Sequence, residues 1–134
     1  MQKLRVLLAD DHTLFRKALR MTLERAPDIE IVAEVVDGQS ALEKFRQTNP
    51  DVVCIDVNMP GVNGIEATRQ MLAINPEAKI IGLSADTEAL TVASMIDAGA
   101  VGYVVKAGSC VELLKAIRQV SQNLRYISPE VSPG

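Results

Sequence analysis

Short apolar runs in this chain lead straight into polar residues that packing does not explain. Leu4–Ala9 runs into Asp10 and Asp11, Val52–Ile55 into Asp56, Lys79–Leu83 into Ser84, and Val101–Val105 into Lys106. Read as parallel strands of one sheet, these runs share a C-terminal edge. Three carboxylates, a hydroxyl and an ammonium then converge there, at the edge where open α/β sheets bind ligands. Three clustered negative charges repel one another, so a cation is expected among them.

Strand and helix alternate five times along the chain. The first helix is read over 12–25, with Leu14, Ala18 and Met21 on one face and Phe15, Leu19 and Leu23 beside them. Ala26-Pro27-Asp28 stops it. A second strand follows over 29–36, and Asp37-Gly38 turns the chain. The next helix, 40–47, buries Ala41, Leu42 and Phe45, with Ser40 and Glu43 as a capping box. Asn49-Pro50 ends it. The third strand, 51–56, is apolar on both faces, as a central parallel strand covered by helices must be. Helices are read over 64–74 and 87–98, the latter ended by Gly99, around a fourth strand over 79–84. A fifth strand covers 100–105. The last helix opens on a second capping box, Ser109 to Glu112, and carries the stripe Val111, Leu114, Ile117, Val120 and Leu124. Strands separated by helices imply parallel pairing and right-handed crossovers. The expected architecture is a three-layer α/β/α sandwich around a five-stranded parallel sheet.

Composition removes several classes of function. At 134 residues the chain fits one domain with a real core. A net charge of −3 gives this chain no electrostatic reason to bind nucleic acid by itself, and the absence of Trp leaves few stacking platforms. No apolar stretch approaches a membrane span. Cys54 and Cys110 are far apart and read as two reduced thiols in a cytoplasmic protein. The apolar period fades near Ser121, and the segment ending Ser128-Pro129-Glu130-Val131-Ser132-Pro133-Gly134 has linker composition. A chain that stops in a linker reads as one domain of a longer protein.

Asp10-Asp11, the segment Asp56-Val57-Asn58-Met59-Pro60-Gly61-Val62-Asn63-Gly64, Ser84-Ala85, Tyr103 and Lys106 together resemble the receiver domain of bacterial two-component response regulators. The resemblance covers residues 3 to 122. Ala9-Asp10-Asp11-His12 followed by Leu14-Phe15-Arg16, with Tyr126-Ile127-Ser128-Pro129 in the tail, is similar to the LuxR/NarL-type subfamily, whose output is a helix-turn-helix domain. The resemblance implies a flavodoxin-like strand order 2-1-3-4-5. It also implies a receiver over 1–122 and a linker over 123–134 toward a DNA-binding domain that is missing here.

The resemblance assigns roles that the residues support chemically. Asp56 is the phospho-acceptor: a carboxylate attacking a phosphoryl group needs the charge on both partners neutralised. Asp10 and Asp11, with Asp56 and the backbone carbonyl of Asn58, would hold Mg²⁺. An Asp pair at a strand end also serves as a helix cap; agreement with Asp56, Ser84 and Lys106 favours the metal. Lys106 would place its ammonium on a phosphoryl oxygen. Ser84 and Tyr103 are the switch pair, moving toward the phosphoryl group and inward, and the switched surface is the fourth helix, fifth strand and fifth helix. Asn58 and Asp86 flank the path of attacking water and would tune phosphoryl lifetime. Two positions depart from the family pattern. Ala107 follows Lys106 where a cis Pro is usual, and Asn63 replaces the more frequent Asp. Asn63-Gly64 suits left-handed turn geometry. His12, the only histidine, reads as a surface or capping residue with no catalytic role.

The partners implied are a sensor histidine kinase, and DNA only through the missing output domain. Homodimerisation on phosphorylation is compatible with this reading. The chain is read as a switch that catalyses its own phosphorylation and dephosphorylation, not as an enzyme acting on other substrates. Two alternatives share the chemistry: a single-domain phosphotransfer shuttle and a Mg²⁺-dependent aspartyl phosphohydrolase. The hydrolase type places a second Asp two residues after the nucleophile, where this chain has Asn58, and needs a substrate cap that is absent. A nucleotide- or flavin-binding module would need a Gly-rich loop after the first strand, whereas Asp10-Asp11-His12-Thr13 has the wrong charge. A scaffold that has lost the chemistry fits poorly with the intact acids, Ser84 and Lys106.

Overall fold

The computed structural model describes residues 3–85, 88–107 and 110–131. Its elements are β1 (Leu4–Ala9), α1 (Thr13–Glu24), β2 (Ile29–Val35), α2 (Gly38–Thr48), β3 (Val52–Asp56), α3 (Gly64–Ile74), β4 (Lys79–Ser84), α4 (Ala89–Asp97), β5 (Gly102–Val105), α5 (Cys110–Ser121) and β6 (Tyr126–Ile127). All strand pairs are parallel, in the order β2-β1-β3-β4-β5-β6. The expected 2-1-3-4-5 core is therefore present. The sheet has six strands rather than five.

Alternation along β3 explains the three layers. Val52 and Cys54 face one core with Leu19 and Leu23 of α1 and Ile117 of α5, whereas Val53 and Ile55 face the other with Phe45 of α2 and Met71 of α3. Successive side chains of a strand point to opposite faces, so a fully apolar strand requires helices on both. Every residue of β3 is buried. The strand order reverses between β1 and β3, and the C-terminal ends of both strands open onto the crevice formed there.

Several local readings change. In α1 the buried residues are Leu19 and Leu23, while Leu14 and Met21 are 84% and 56% exposed. In α5 Leu113 and Ala116 are buried with Ile117 and Val120, and Val111 is exposed; Leu124 lies past the end of the helix and is also exposed. The cap of α2 is Asp37, whose side chain accepts from Ser40 N at 2.7 Å, so Ser40 lies inside the helix. Asn63 is not left-handed. At φ −75° and ψ 169° it caps α3 and accepts from Glu66 N at 2.9 Å. Gly99 has φ +112° just past α4, the left-handed stop expected there. Ser109, the first residue of the second proposed capping box, lies outside the described residues.

The segment read as linker contains β6. Tyr126 and Ile127 pair with Gly102 and Tyr103 of β5. Ser128 is 1% exposed, its Oγ accepts from Val105 N at 3.0 Å and donates to Glu112 Oε2 at 3.0 Å. Tyr126 Oη donates to the same carboxylate oxygen at 2.8 Å, and burial beside that carboxylate pushes the phenol up to about 12.

Candidate functional site

Each strand end delivers one part of the site. Asp10 follows β1 and donates its backbone N–H to Val35 O of β2 at 3.0 Å. Asp56 is the last residue of β3, and Asn58 N donates back to Asp56 Oδ1 at 2.9 Å. Ser84 closes β4, and its carbonyl accepts from Lys106 N at 2.8 Å, which ties the end of β5 to the same edge. Gly64 keeps the loop after Asp56 tight. A Cβ there would collide with Asp56 O and lie 2.8 Å from Val57 Cα.

The predicted residues come together. Lys106 Nζ lies 2.9 Å from Asp56 Oδ2 and 2.8 Å from Asp10 Oδ2. Asp10, Asp11, His12 and Asp56 each offer a ligand atom, and these atoms lie within 4.8 Å of one another. Asp10 and Asp56 are 1% and 2% exposed, whereas Asp11 is open to solvent. Burial raises the Asp56 carboxyl above the usual range. The Lys106 ammonium and the Asn58 N–H pull it down, and the Asp10 charge adds to the rise. The peptide joining Lys106 to Ala107 is trans, and the ammonium still reaches both carboxylates. Ser84 is buried at the edge, and Tyr103 is fully buried, with its ring against the Gly82 position. Asn58 is exposed at the rim. Asp86, the second proposed lifetime residue, lies outside the described residues.

Residues given no role at the level of sequence also enter the site. His12 Nδ1 lies 2.7 Å from Lys106 Nζ. The Phe15 ring sits 5.1 Å from that ammonium, within cation–π range. Arg16 Nη1 donates to Asp10 O at 2.7 Å, holding the acidic turn. The sequence signals for His12 are its adjacency to Asp11 and its place in the LuxR/NarL-type signature, neither of which assigns it a ligand role. The helical offset of Phe15 signals packing, and Arg16 enters the sequence reading only with the LuxR/NarL-type signature.

The donor set fits a divalent cation. Carboxylate oxygens from two strand ends converge, which is the ligand chemistry Mg²⁺ uses. Asp10 Oδ2 is buried and receives no hydrogen bond of acceptable geometry, although the Lys106 charge is close. A buried oxygen of this kind is what a cation would satisfy.

Comparison with known proteins agrees with this geometry. The response regulator receiver domain family matches residues 6–118. The chain is 38% identical over 130 residues to the transcriptional regulatory protein DegU of Brevibacillus brevis, covering 97% of this chain and 55% of that protein. It is 39% identical over 127 residues to the response regulator UvrY of Escherichia coli K12, covering 95% of this chain and 58% of that protein. Among solved structures, it resembles a LuxR-family two-component response regulator from Aurantimonas, with TM-score 0.92 and 35% identity over 97% of this chain and 93% of that one. The response regulator domain of Thermotoga maritima CheB superposes with TM-score 0.81 and 32% identity, over 90% of this chain and 98% of that one. The chain belongs to the response regulator receiver domain family, of the LuxR/NarL type. It spans a little over half the length of DegU and UvrY. No helix among the described residues is long and apolar enough to cross a membrane.

Proposed function

We propose that this protein acts in the cytoplasm, where Asp56 accepts a phosphoryl group from the phosphohistidine of a sensor histidine kinase. One observation carries this reading: the Asp56 carboxylate stands at the sheet edge with Lys106 Nζ at 2.9 Å and the Asp10 and Asp11 oxygens beside it. A carboxylate oxygen of Asp56 attacks phosphorus. The new O–P bond forms as the P–N bond breaks, and the departing imidazole nitrogen keeps the electron pair. Asp10, Asp11, Asp56 and the Asn58 carbonyl would hold Mg²⁺, which supplies charge neutralisation for the donor phosphate. Lys106 pairs with the phosphoryl oxygens in place of the carboxylate it now holds. The domain thus catalyses its own phosphorylation and its own dephosphorylation by water, and the side chains of Asn58 and Asp86 tune the rate of the second step.

Phosphorylation adds about −1.5 to −2 charges where a single carboxylate stood. Ser84, on the neighbouring strand, donates to the new oxygens. Tyr103 takes the inward packing, and the α4-β5-α5 face shifts with it. Two features support an attached output: the length of the relatives beyond this chain, and the pairing of β6 with the β5 strand that carries Tyr103. The output is a DNA-binding, transcription-regulating domain joined through 123–134, and phosphorylation favours a homodimer. Incubation with Mg²⁺ and acetyl phosphate tests the acceptor directly. Wild type gains one phosphoryl group by intact mass and Asp56→Ala gains none; an equal gain in both removes the proposal.

A further inference from the structure

One donor in the pocket has no part in the carboxylate chemistry. His12 Nδ1 lies 3.2 Å from Asp10 Oδ1, 3.6 Å from Asp11 Oδ1 and 3.4 Å from Asp56 Oδ2. Lys106 Nζ is 2.7 Å from the same nitrogen. An ammonium can only donate, so Nδ1 accepts from Lys106 in the tautomer that carries the ring proton on Nε2, whereas in the other tautomer it donates to Asp10 Oδ1. In the first, the imidazole lone pair faces a positive charge. That charge is also 2.8 Å from Asp10 Oδ2 and 2.9 Å from Asp56 Oδ2. The ammonium marks a cation position surrounded by one nitrogen and two oxygen donors. Independently, the buried Asp10 Oδ2 receives no hydrogen bond there.

We propose that His12 is a ligand of the pocket's divalent cation, so that the pocket binds first-row transition dications more tightly than its oxygen donors alone would. The ligand role presupposes the cation site proposed above and adds to it a donor and a class of ion. Mg²⁺ is hard and keeps oxygen ligands, so an imidazole adds little to its binding. Imidazole suits ions from Co²⁺ to Zn²⁺, whose affinity rises along that series up to Cu²⁺. The side chain is 65% exposed, and its Nδ1 is the ring nitrogen directed at the three carboxylates.

The test is a pair of titrations on the whole chain with Cys110→Ser as background, which removes the accessible thiol as a competing ligand. Co²⁺ binding is read from its d–d absorption, and Mg²⁺ binding by calorimetry. His12→Ala is expected to weaken Co²⁺ by about tenfold or more while leaving Mg²⁺ within about twofold. Asp11→Asn weakens both ions. Bound Cu²⁺ shows nitrogen superhyperfine coupling in wild type that His12→Ala loses. Matching thermal melts exclude a folding loss, and His12→Asn serves as the second variant if the first melts early. Equal Co²⁺ affinity with and without the imidazole overturns the ligand role and leaves the Mg²⁺ site standing. Failure of wild type to bind either ion overturns the cation site as well.

Discussion

The Lys106 ammonium lies 2.9 Å from Asp56 Oδ2, with the two side chains only 10% and 3% exposed. The charge on Asp56 is thus held in a buried setting by a cation that it shares with Asp10. Burial outweighs this partner and raises the Asp56 carboxyl.

That balance sets a pH dependence for folding. A carboxyl whose folded pKa lies above its unfolded value favours folding while protonated, and this contribution is lost as pH rises through the folded value. Asp56→Asn does not titrate. The variant should be more stable than wild type at neutral pH by about 1–2 kcal/mol, the scale of burying an incompletely compensated polar group. The advantage should shrink to nothing below the ordinary carboxylate range. Urea unfolding of both proteins at acid and neutral pH measures it, and an advantage that grows toward acid pH would show the sign to be wrong.

Gly64 gives the loop after Asp56 its shape. An added Cβ meets backbone, not the flexible end of a side chain, so the neighbours cannot yield cheaply. Gly64→Ala should cost about 1–3 kcal/mol, as overpacking does, and should lower phosphoryl acceptance by moving Asp56. Denaturant unfolding and acetyl phosphate labelling read the two effects. Wild-type values for both would mean the loop relaxes freely.

Ser128 anchors the last strand. Its hydroxyl serves Val105 N and Glu112 together. Ser128→Ala leaves a buried N–H without its partner and should cost about 1–3 kcal/mol. Amide exchange at Val105 should accelerate more than exchange within β3. Unchanged protection at Val105 would mean that the tail does not secure β5.

The two thiols should separate by reactivity. Cys54 is fully buried in β3, and desolvation pushes its thiol far above the ordinary range. Cys110 is only partly covered. A thiol reagent should label Cys110 in the folded protein and Cys54 only in denaturant, because the thiolate is the reactive form. Comparable labelling of both thiols under native conditions would mean that β3 opens readily.

The strand ends were legible in the sequence because β3 is apolar on both faces and four runs stop at polar residues, which leaves little freedom for the sheet edge. Helix faces were less legible. In α1 the apolar residues form two overlapping stripes, and only tertiary packing against the sheet and α5 selects Phe15, Leu19 and Leu23 over Leu14, Ala18 and Met21. The sixth strand could not be read at all, because two residues carry no period. Its place depends on β5 and Glu112, which are distant in the chain. His12 was passed over because a lone histidine has no local pattern, and its inward nitrogen is set by Lys106 across the sheet edge.

Chemical trapping of the acyl phosphate tests the central claim most directly. Wild type treated with Mg²⁺ and acetyl phosphate is reduced with borohydride, which converts a phosphorylated aspartate to homoserine, and its peptides are sequenced. The account predicts homoserine at position 56 alone, abolished by chelation of the metal. Homoserine at another aspartate, or none at any position while the protein remains folded, would contradict it.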